Sequence, residues 1–364
     1  MELNTLTVDL SAIAHNARQL LAAAEGAQVM AVVKADAYNH GVEQVVPVLD
    51  RAGVAAFGVA TLAEAAQVRP LTDKPVLAWI WHESQPIPAG VDVAISTFGQ
   101  LTALLADATP RTVAVAVDTG LNRSGFDEAD WPEVFRQLAS THAQHLQLSG
   151  LCTHLAVADD PANPFTSEQS DTFQRALTVA RGAGLTPRFN HVANSPGLLT
   201  RANLGVEVVR PGLALYGQQS VSGHAPAAPT LRPAMTWSAG VTTVKKIGAG
   251  EGASYGLTWR AETERYTAVV AAGYADGVPR ALQGHLEVTI NGVRYRQVGR
   301  VCMDQIIIDL GEDEPTVASG DEAILFGPGG HGEMTADDWA AALGTINYEV
   351  ICMPRGRTVR TYVS

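Results

Sequence analysis

The sequence has few cysteines, and their wide spacing fits neither a disulfide framework nor a paired zinc-binding motif. Among its 364 residues there are three, Cys152, Cys302 and Cys352. Disulfide frameworks and cysteine-based zinc motifs both need paired cysteines, so we predict neither, and we expect a protein of the reducing cytoplasm. The ten histidines are scattered without an HExxH pattern, so we predict no metal site.

Basic charge and long apolar runs are also scarce. The chain carries 25 basic and 37 acidic residues, which gives a formal net charge of −12. Nucleic acids and anionic membranes are bound by basic surfaces, so we predict neither as a partner. No window approaches the ~20 consecutive apolar residues of a membrane span. The segment MELNTLTVDL lacks the basic and apolar regions of a signal peptide.

The first two-thirds of the chain alternate short apolar runs with segments of helical spacing, such as Ser11–Ala24 and Ser167–Ala183. Alternation of this kind predicts parallel strands joined by crossover helices. The eight runs are Val29–Val33, Val54–Ala60, Val76–Trp81, Val91–Ile95, Val113–Val117, Leu146–Thr153, Arg188–Val192 and Val206–Val209. We therefore predict a (β/α)₈ TIM-type barrel over residues 11–230, with an open doubly wound sheet as the alternative.

The remaining third of the chain has a different pattern of predicted elements. Gln218–Pro233 is rich in Pro, Ala and Ser and is typical of a linker. Beyond it, strand-like segments follow one another without regular helices, and Asn291-Gly292 between two of them is a strong hairpin signal. The one clear helix is Ala336–Leu343, capped by Thr335. We predict a second, mostly antiparallel β domain over residues 231–364.

Polar residues stand just past the predicted barrel strands, where barrel enzymes carry their active sites. They are Lys34, Thr61, His82, Ser96, Asp118, His154, Asn194-Ser195 and Arg210. Any strand end that meets solvent is polar, and this explains Thr61, His82 and Ser96 well enough. The combination of Lys34, His154, Ser195 and Arg210 instead indicates a site.

Lys34 suggests covalent chemistry, because it directly follows the apolar run Ala31–Val33. A lysine in an apolar setting has a lowered pKa, and its neutral amine can condense with an aldehyde as a Schiff base. Pyridoxal phosphate is the common aldehyde cofactor, and its ring accepts electrons from a carbanion. Tyr38, four residues on, could add a phenolic hydrogen bond.

Such a cofactor needs a phosphate site and a partner for its ring nitrogen. Asn194-Ser195 and Gly212 offer a hydroxyl and backbone N–H groups near predicted helix starts. Arg210 is the candidate for the nitrogen. Because a guanidinium is always charged, it would leave the nitrogen unprotonated and weaken the electron sink. A weaker sink suits an enzyme that returns the α-proton without transamination.

Two motifs suggest other functions, and both lack the required context. Residues 252–256 (GASYG) match the GxSxG nucleophile elbow, but the segment that follows is not helical. Residues 327–332 (GPGGHG) match GxGxxG, but no complete βαβ unit follows them. We predict no hydrolase site at the first motif, and at the second a simple connecting loop instead of a nucleotide site.

An ordered series of motifs resembles one family, the alanine racemases, which are fold-type III pyridoxal-phosphate enzymes. In the first domain the motifs are LTVDLSAIAHNARQL, AVVKADAYNHG, VDTGLNRSGF, GLCTHLAVAD, HVANSPGLL and EVVRPGLALYG. In the second they are GASYGLTW, AAGYADGVPR, GRVCMDQIIID and INYEVIC. The resemblance implies a barrel followed by a β domain, and it places strand 1–10 in the β domain.

The resemblance also implies roles for individual residues. For the cofactor these are Lys34 as its attachment, Tyr38 beside its phosphate, His154 stacked on its ring, Arg210 at its nitrogen, and Ser195, Gly212 and Tyr348 as phosphate ligands. For catalysis they are Lys34 and Tyr255 as two opposed bases, Arg123 and the Met303 N–H at the substrate carboxylate, and Tyr274 and Tyr348 at a narrow entrance. The implied chain from Tyr255 runs through His154 and Arg210 to His191.

The implied activity is interconversion of L- and D-alanine, which supplies D-alanine for peptidoglycan. The family forms head-to-tail homodimers, so Tyr255, Tyr274 and Met303 would act in the partner's site. One position departs from the pattern: Ala116 stands where many members have a carbamylated lysine that orients Arg123. Another anion, chloride for example, would then hold Arg123. The alternatives are a racemase of serine or of several amino acids, a related decarboxylase and a barrel-only cofactor-binding protein.

Overall fold

The computed structural model describes residues 2–200, 204–221 and 229–364. Contacts divide the chain into two compact units. We call Ile13–Ala37 with Gly41–Leu231 the barrel unit. The β unit comprises the residues up to Ala12, the short segment Tyr38–His40, and Arg232–Ser364. Part of the predicted linker, residues 222–228, lies outside the described residues.

The strands are short except for β9. They are β1 Asn4–Asp9, β2 Gln28–Val32, β3 Ala56–Thr61, β4 Val76–Ile80, β5 Asp92–Ile95, β6 Arg111–Ala116, β7 Leu146–Cys152, β8 Val208–Val209, β9 Met235–Ile247, β10 Gly252–Ala253, β11 Trp259–Arg260, β12 Arg265–Val270, β13 Glu287–Ile290, β14 Val293–Val298, β15 Ile306–Gly311, β16 Glu322–Phe326 and β17 Val359–Val363.

The helices fall mostly between the barrel strands. They are α1 Leu10–Ala23, α2 Lys34–Asn39, α3 Val42–Ala52, α4 Leu62–Val68, α5 Phe98–Ala106, α6 Trp131–Leu138, α7 Phe165–Gly182, α8 Ser195–Thr200, α9 Ala336–Leu343 and α10 Asn347–Ile351. Short 3₁₀ turns lie at Arg69–Leu71, Thr141–Ala143, Leu213–Tyr216, Tyr255–Leu257 and Arg280–Leu282. Among the described residues, every helix is too short or too polar to span a lipid bilayer.

The barrel unit is built on parallel strands in the order β7-β6-β5-β4-β3-β2-β8. The predicted strand Arg188–Val192 contributes only His191, which bridges in parallel to Cys152 of β7 and to Val208 of β8. These bridges close the ring between the two edge strands. The predicted (β/α)₈ fold is therefore confirmed, with one of its eight strands reduced to a single bridging residue.

The barrel interior is a packed layer. One residue from each strand forms a buried cluster: Met30, Ala56, Leu77, Ala94, Ala114, Cys152 and Val208. Trp79, Ala116 and Phe189 pack against it. Gly58 must be glycine here, because a Cβ would lie 2.2 Å from the Trp79 ring. The small residue thus makes room for a large indole inside the barrel.

Asp92 opens β5 at the amino end of the barrel, and burial raises the pKa of its carboxyl to about 6 despite the opposing charge of Arg69. The ordinary value is about 3.9, so between pH ~4 and ~6 the folded chain holds a proton that the unfolded chain has lost. Stability therefore falls as pH rises through this window. We expect Asp92→Asn to raise the free energy of unfolding by about 1–3 kcal/mol above pH 7.

Urea unfolding of the variant and its parent at about pH 4 and about pH 8 measures this difference. The two proteins should differ little at the lower pH and most at the higher one. Asp73→Asn, at an exposed position of the same unit, is the matched control and should change neither value. A gain for Asp92→Asn that is equal at both pH values would contradict the interpretation.

The β unit is a mostly antiparallel sheet, as predicted, in the order β12-β15-β14-β13-β16-β9-β1-β17. The long strand β9 also pairs with β12, which closes β12, β15, β14, β13, β16 and β9 into a ring. The amino-terminal strand β1 pairs with β9 and runs parallel to β17. The only parallel pair of strands that the structure describes in this unit is therefore β1 with β17.

Local signals in the β unit were informative. Asn291 and Gly292, with φ of 52° and 79°, join β13 to β14 in the predicted two-residue hairpin. Helix α9 begins after Thr335 with a capping box to Asp338. The prediction of a single clear helix was wrong, because the INYEVIC segment forms α10 as well. Five residues bounded by Ile346 give too little periodicity to be recognised.

The GxGxxG segment is a connecting loop between β16 and α9, as predicted. It folds around the carboxylate of Glu333, which is 1% exposed. Glu333 accepts hydrogen bonds from the N–H groups of Gly329 (2.8 Å) and His331 (2.7 Å). The backbone donors that would hold a phosphate in a nucleotide loop are thus taken by the chain's own carboxylate.

Candidate active site

The carboxyl end of the barrel brings together cationic groups around one histidine. Burial, together with the charges of Arg210, Arg123 and Lys34, lowers the pKa of His154 to about 3. The His154 ring is therefore neutral across the physiological range. Four residues predicted from different parts of the sequence thus lie close enough to interact electrostatically.

Lys34 does not lie in the apolar setting that its sequence context suggested. Val32 and Val33 are buried, but Lys34 itself is exposed in the single chain. The reason is that the strand has ended: Lys34 is the first residue of α2, beyond the last paired residue of β2. The expectation that Lys34 lies in an apolar setting is therefore wrong for the single chain.

The turn that follows Lys34 is left-handed. All residues from Ala35 to Asn39 have φ between 52° and 65°, and none of them is glycine. For L-residues this region costs roughly 1–2 kcal/mol each relative to the right-handed helix. Side chains and backbone offset the cost: the Asp36 carboxylate accepts the Val42 N–H (2.7 Å), and its carbonyl accepts the Gly41 N–H (2.9 Å).

Arg210 is buried, and its orientation is fixed by the backbone. Its Nη2 donates to the carbonyls of Thr153 and Val192, the latter at 3.0 Å. The guanidinium carbon lies 5.6 Å from the centre of the Trp79 ring, a cation–π contact. The buried Trp79 Nε1 has no hydrogen-bond partner among the described residues. The barrel interior therefore presents a fixed cation and an indole donor side by side.

The predicted phosphate residues of the barrel unit are also brought together. The Ser195 Oγ accepts hydrogen bonds from the N–H groups of Gly212 (2.9 Å) and Ala214 (3.2 Å). Asn194 plays a different part, because its Oδ1 accepts the Gly197 N–H (3.0 Å) in the first turn of α8. Asn194 thus acts on the helix that begins with Ser195, and the Ser195 hydroxyl keeps its own proton to donate.

His191, the bridging residue of the barrel, is fully buried. Burial, and then the charge of Arg210, lowers its pKa well below the ordinary range. Neither ring nitrogen has a hydrogen-bond partner among the described residues. The implied chain from His154 through Arg210 to His191 is therefore electrostatic at its last step, not hydrogen-bonded.

Sequence reasoning missed Gln169, which is fully buried on α7. Its Nε2 donates to the His154 carbonyl (3.0 Å), and its Oε1 accepts the Ala156 N–H (2.8 Å). Gln169 thus holds the backbone on both sides of Leu155. The available signal was a glutamine on the buried face of an amphipathic helix, which is common enough to be passed over.

Tyr38 and Tyr348 meet within the β unit. Their ring centres are 6.3 Å apart at an interplanar angle of 48°. The neighbouring Asn39 donates its amide to the carbonyls of Ile351 (3.1 Å), the last residue of α10, and Pro354 (2.9 Å), just beyond that helix. The two predicted phosphate-side tyrosines therefore lie together on one face of this unit.

Tyr255 stands on a constrained loop of the β unit. Ser254, with φ of 62°, donates its hydroxyl to the Arg300 carbonyl (2.7 Å). A 3₁₀ turn and then β11 follow instead of a helix. The GxSxG pattern is therefore no nucleophile elbow, because its serine is engaged with the backbone and the helix is missing.

Met303 and Tyr274 lie on adjoining loops. The N–H groups of Tyr274 and Ala275 each donate at 3.0 Å, to the carbonyls of Cys302 and Met303. Gly273 permits this approach, because a Cβ there would lie 2.3 Å from the Met303 oxygen. The buried Asp276 accepts the Gly273 N–H (3.0 Å) and pairs with Arg357.

These loops expose large side chains that are usually buried. Tyr255 is 70% exposed, Met303 51% and Tyr274 37%. Large apolar side chains on adjoining loops are typical of a surface that binds something. In the barrel unit, Arg123 is likewise exposed. Residue 116 is an alanine that packs against the core, so this position offers no lysine for carbamylation.

Known proteins match this chain over its whole length. The family model for the N-terminal domain of alanine racemase matches residues 8–220, and the model for its C-terminal domain matches residues 234–362. An alanine racemase of Corynebacterium glutamicum is 52% identical over 369 residues, covering the whole of both chains.

Solved structures agree with the sequence matches. The crystal structure of alanine racemase from Corynebacterium glutamicum has a TM-score of 0.89 at 47% identity and covers all of both chains. That from D-cycloserine-producing Streptomyces lavendulae has a TM-score of 0.92 at 37% identity, covering 100% of this chain and 98% of that one. On family models, sequence and structure alike, this chain belongs to the alanine racemase family.

Proposed function

We propose that the chain interconverts L-alanine and D-alanine with pyridoxal 5′-phosphate as cofactor, and so supplies D-alanine for peptidoglycan. The observation that carries the proposal is the group of Lys34, His154 and Arg210 at the carboxyl end of the barrel, in a chain 52% identical to a named alanine racemase. Barrel enzymes place their chemistry at this end.

The chemistry of the donors supports pyridoxal phosphate. A pyridine nitrogen accepts hydrogen bonds, and the buried Arg210 is a donor that cannot lose its proton. The buried Trp79 Nε1 beside it also lacks an acceptor among the described residues. Ser195, whose hydroxyl can still donate, and Gly212 would serve the phosphate together with Tyr38, Asn194 and Tyr348.

When bound, the cofactor supplies a ring that withdraws electrons from the substrate α-carbon and so acidifies its proton. Racemisation requires that a proton leave one face of that carbon and that one return to the other face. Lys34 Nζ and Tyr255 Oη would serve as the bases on the two faces. His154, neutral at physiological pH, would stack on the ring without adding charge.

The remaining predicted residues would select a small amino acid. Arg123 and the Met303 N–H would bind the substrate carboxylate, since a guanidinium and a backbone donor both suit an anion. A small anion such as chloride would orient Arg123 in the absence of a lysine at Ala116. Tyr274 and Tyr348 would narrow the entrance, which favours alanine over larger substrates.

We also propose a homodimer with shared sites. The exposure of Tyr255 (70%) and Met303 (51%) supports it, because groups that touch substrate in a water-excluded site should be covered in the working assembly. The barrel domain, residues 11–230, and the β domain, residues 231–364 with strand 1–10, would then have different roles in each site. The barrel holds the cofactor, and the β domain brings Tyr255, Tyr274 and Met303 to the partner's barrel.

Co-expression of two inactive variants tests the sharing. In a mixed dimer of Lys34→Ala and Tyr255→Phe chains, one shared site has both mutations and the other has neither. Random assembly makes about half the dimers mixed, so about one quarter of the parent activity should return. Each variant expressed alone is the control. Activity no higher than that of the separate variants would contradict sharing between subunits.

A chiral assay of the purified protein with pyridoxal phosphate tests the function itself. L-Alanine and D-alanine should each be converted to the racemate, whereas L-serine and larger L-amino acids should react far more slowly. Comparable rates across the panel would replace alanine racemisation with a broader specificity. No inversion of any amino acid would overturn the proposal.

A further inference from the structure

Glu64, on the first turn of α4, reaches the residue next to Lys34. Its Oε1 accepts the Ala35 N–H at 2.8 Å. Its Oε2 accepts the N–H groups of Ala60 (2.7 Å) and Thr61 (2.9 Å). One carboxylate thus ties the end of β3 to the first peptide after Lys34.

The left-handed backbone conformation begins at that peptide. Ala35 is the first residue of the left-handed turn, with φ of 52°. An alanine has no local reason to adopt this conformation, so outside contacts must hold it there. Glu64 supplies a charged acceptor, and charge-assisted hydrogen bonds are the stronger kind. This bond therefore acts on the peptide that directly follows Lys34.

In α5, the next long helix of the barrel, the residue at the same place in the first turn is a glutamine with different partners. Gln100 on α5 accepts the Ser96 N–H (2.7 Å) through Oε1 and donates Nε2 to the Trp81 carbonyl (2.7 Å). There the neighbouring strand end presents an acceptor, so an amide serves both contacts. Beside Lys34 the neighbouring strand end presents a donor, the Ala35 N–H group. A carboxylate has an acceptor oxygen for this donor and another for the N–H groups at the end of β3. The choice of Glu64 thus fits the reach to Ala35.

We propose that Glu64 is a positioning residue for Lys34. This inference rests on the proposed function, because it takes Lys34 as the cofactor attachment and one base. Both carboxylate oxygens of Glu64 are taken by backbone N–H groups, so it would act through Lys34 and not on cofactor or substrate. It fixes the peptide from which the Lys34 side chain departs and so sets the geometry in which the Lys34 amine works.

Glu64→Asp separates positioning from helix capping. In α9 of this chain an aspartate fills the same capping-box position, where Asp338 accepts the Thr335 N–H. The shorter side chain can therefore cap α4, but it falls short of Ala35. Thr61→Ala is the matched control: it removes the acceptor of the Glu64 N–H (3.2 Å) and leaves the carboxylate in place.

We expect Glu64→Asp to lower kcat about fivefold to tenfold with little change in KM. It should also shift the pH midpoint of the visible absorption of the cofactor-loaded protein by about half a unit or more. Thr61→Ala should lower the melting temperature and change neither kcat nor the absorption midpoint. If both variants change these values alike, or neither does, Glu64 only caps α4 and the inference is overturned.

The absorption measurement also separates this inference from the proposed function. If the parent binds the cofactor but does not invert alanine, the proposed function fails. A midpoint shift confined to Glu64→Asp still supports positioning, and its absence overturns it. Glu64→Gln, which keeps the length but has one acceptor oxygen, repeats the comparison if Glu64→Asp does not fold.

Discussion

Tyr255→Phe is expected to lower racemisation by about 10²- to 10⁴-fold while leaving half of the proton chemistry intact. L- and D-alanine are mirror images of equal free energy, so the variant must lose the same factor in kcat/KM in both directions. Racemisation rates alone therefore cannot reveal which base was lost. Exchange of the α-hydrogen with solvent can, because it needs a base on one face only.

In deuterated water, one enantiomer should still exchange its α-hydrogen in the presence of Tyr255→Phe, with its configuration retained. Proton NMR follows the loss of the α-hydrogen, and chiral chromatography follows inversion. Tyr295→Phe, on strand β14, is the control and should keep both at the parent rate. Exchange of both enantiomers, or racemisation within about tenfold of the parent, would remove Tyr255 from the role of second base.

The periodic part of the fold could be predicted from the sequence, but the weakest barrel strand could not. Arg188–Val192 has a strand-like composition, yet only His191 pairs on both sides. Asn190 explains why: its Oδ1 accepts the Leu151 N–H at 2.8 Å, and its Nδ2 donates to Glu207 at 2.8 Å. A side chain replaces part of the hydrogen-bond ladder here, and composition does not reveal such a substitution.

The members of the candidate site were named from sequence, but the conformation around Lys34 was not. KADAYN contains two alanines and no glycine, so local propensity favours a right-handed helix. The left-handed turn is held by the contacts of Asp36 and also by contacts distant in sequence, including Glu64 with Ala35 and Asn39 with Ile351. Such contacts exist only once the chain has folded. For the same reason the exposure of Lys34 and Tyr255 followed from the structure alone.

Lys34→Ala should remove both the cofactor attachment and one base, and we expect racemisation to fall at least about 10³-fold. Borohydride reduction of the cofactor-loaded parent, followed by peptide mapping, should place the added mass on the peptide that contains Lys34. The variant should show no such label. Lys74→Ala is the control: Lys74 pairs with Asp50 at 2.6 Å in the barrel unit, and its loss should leave the labelling unchanged.

The strongest test of two opposed bases compares the residual exchange of the two variants. If Lys34 serves one face and Tyr255 the other, the enantiomer that exchanges with Lys34→Ala must be the one that does not exchange with Tyr255→Phe. A single base that served both faces would instead abolish exchange of both enantiomers in one variant and preserve both in the other. Reciprocal loss therefore requires two bases on opposite sides of the α-carbon, whichever subunit contributes the tyrosine.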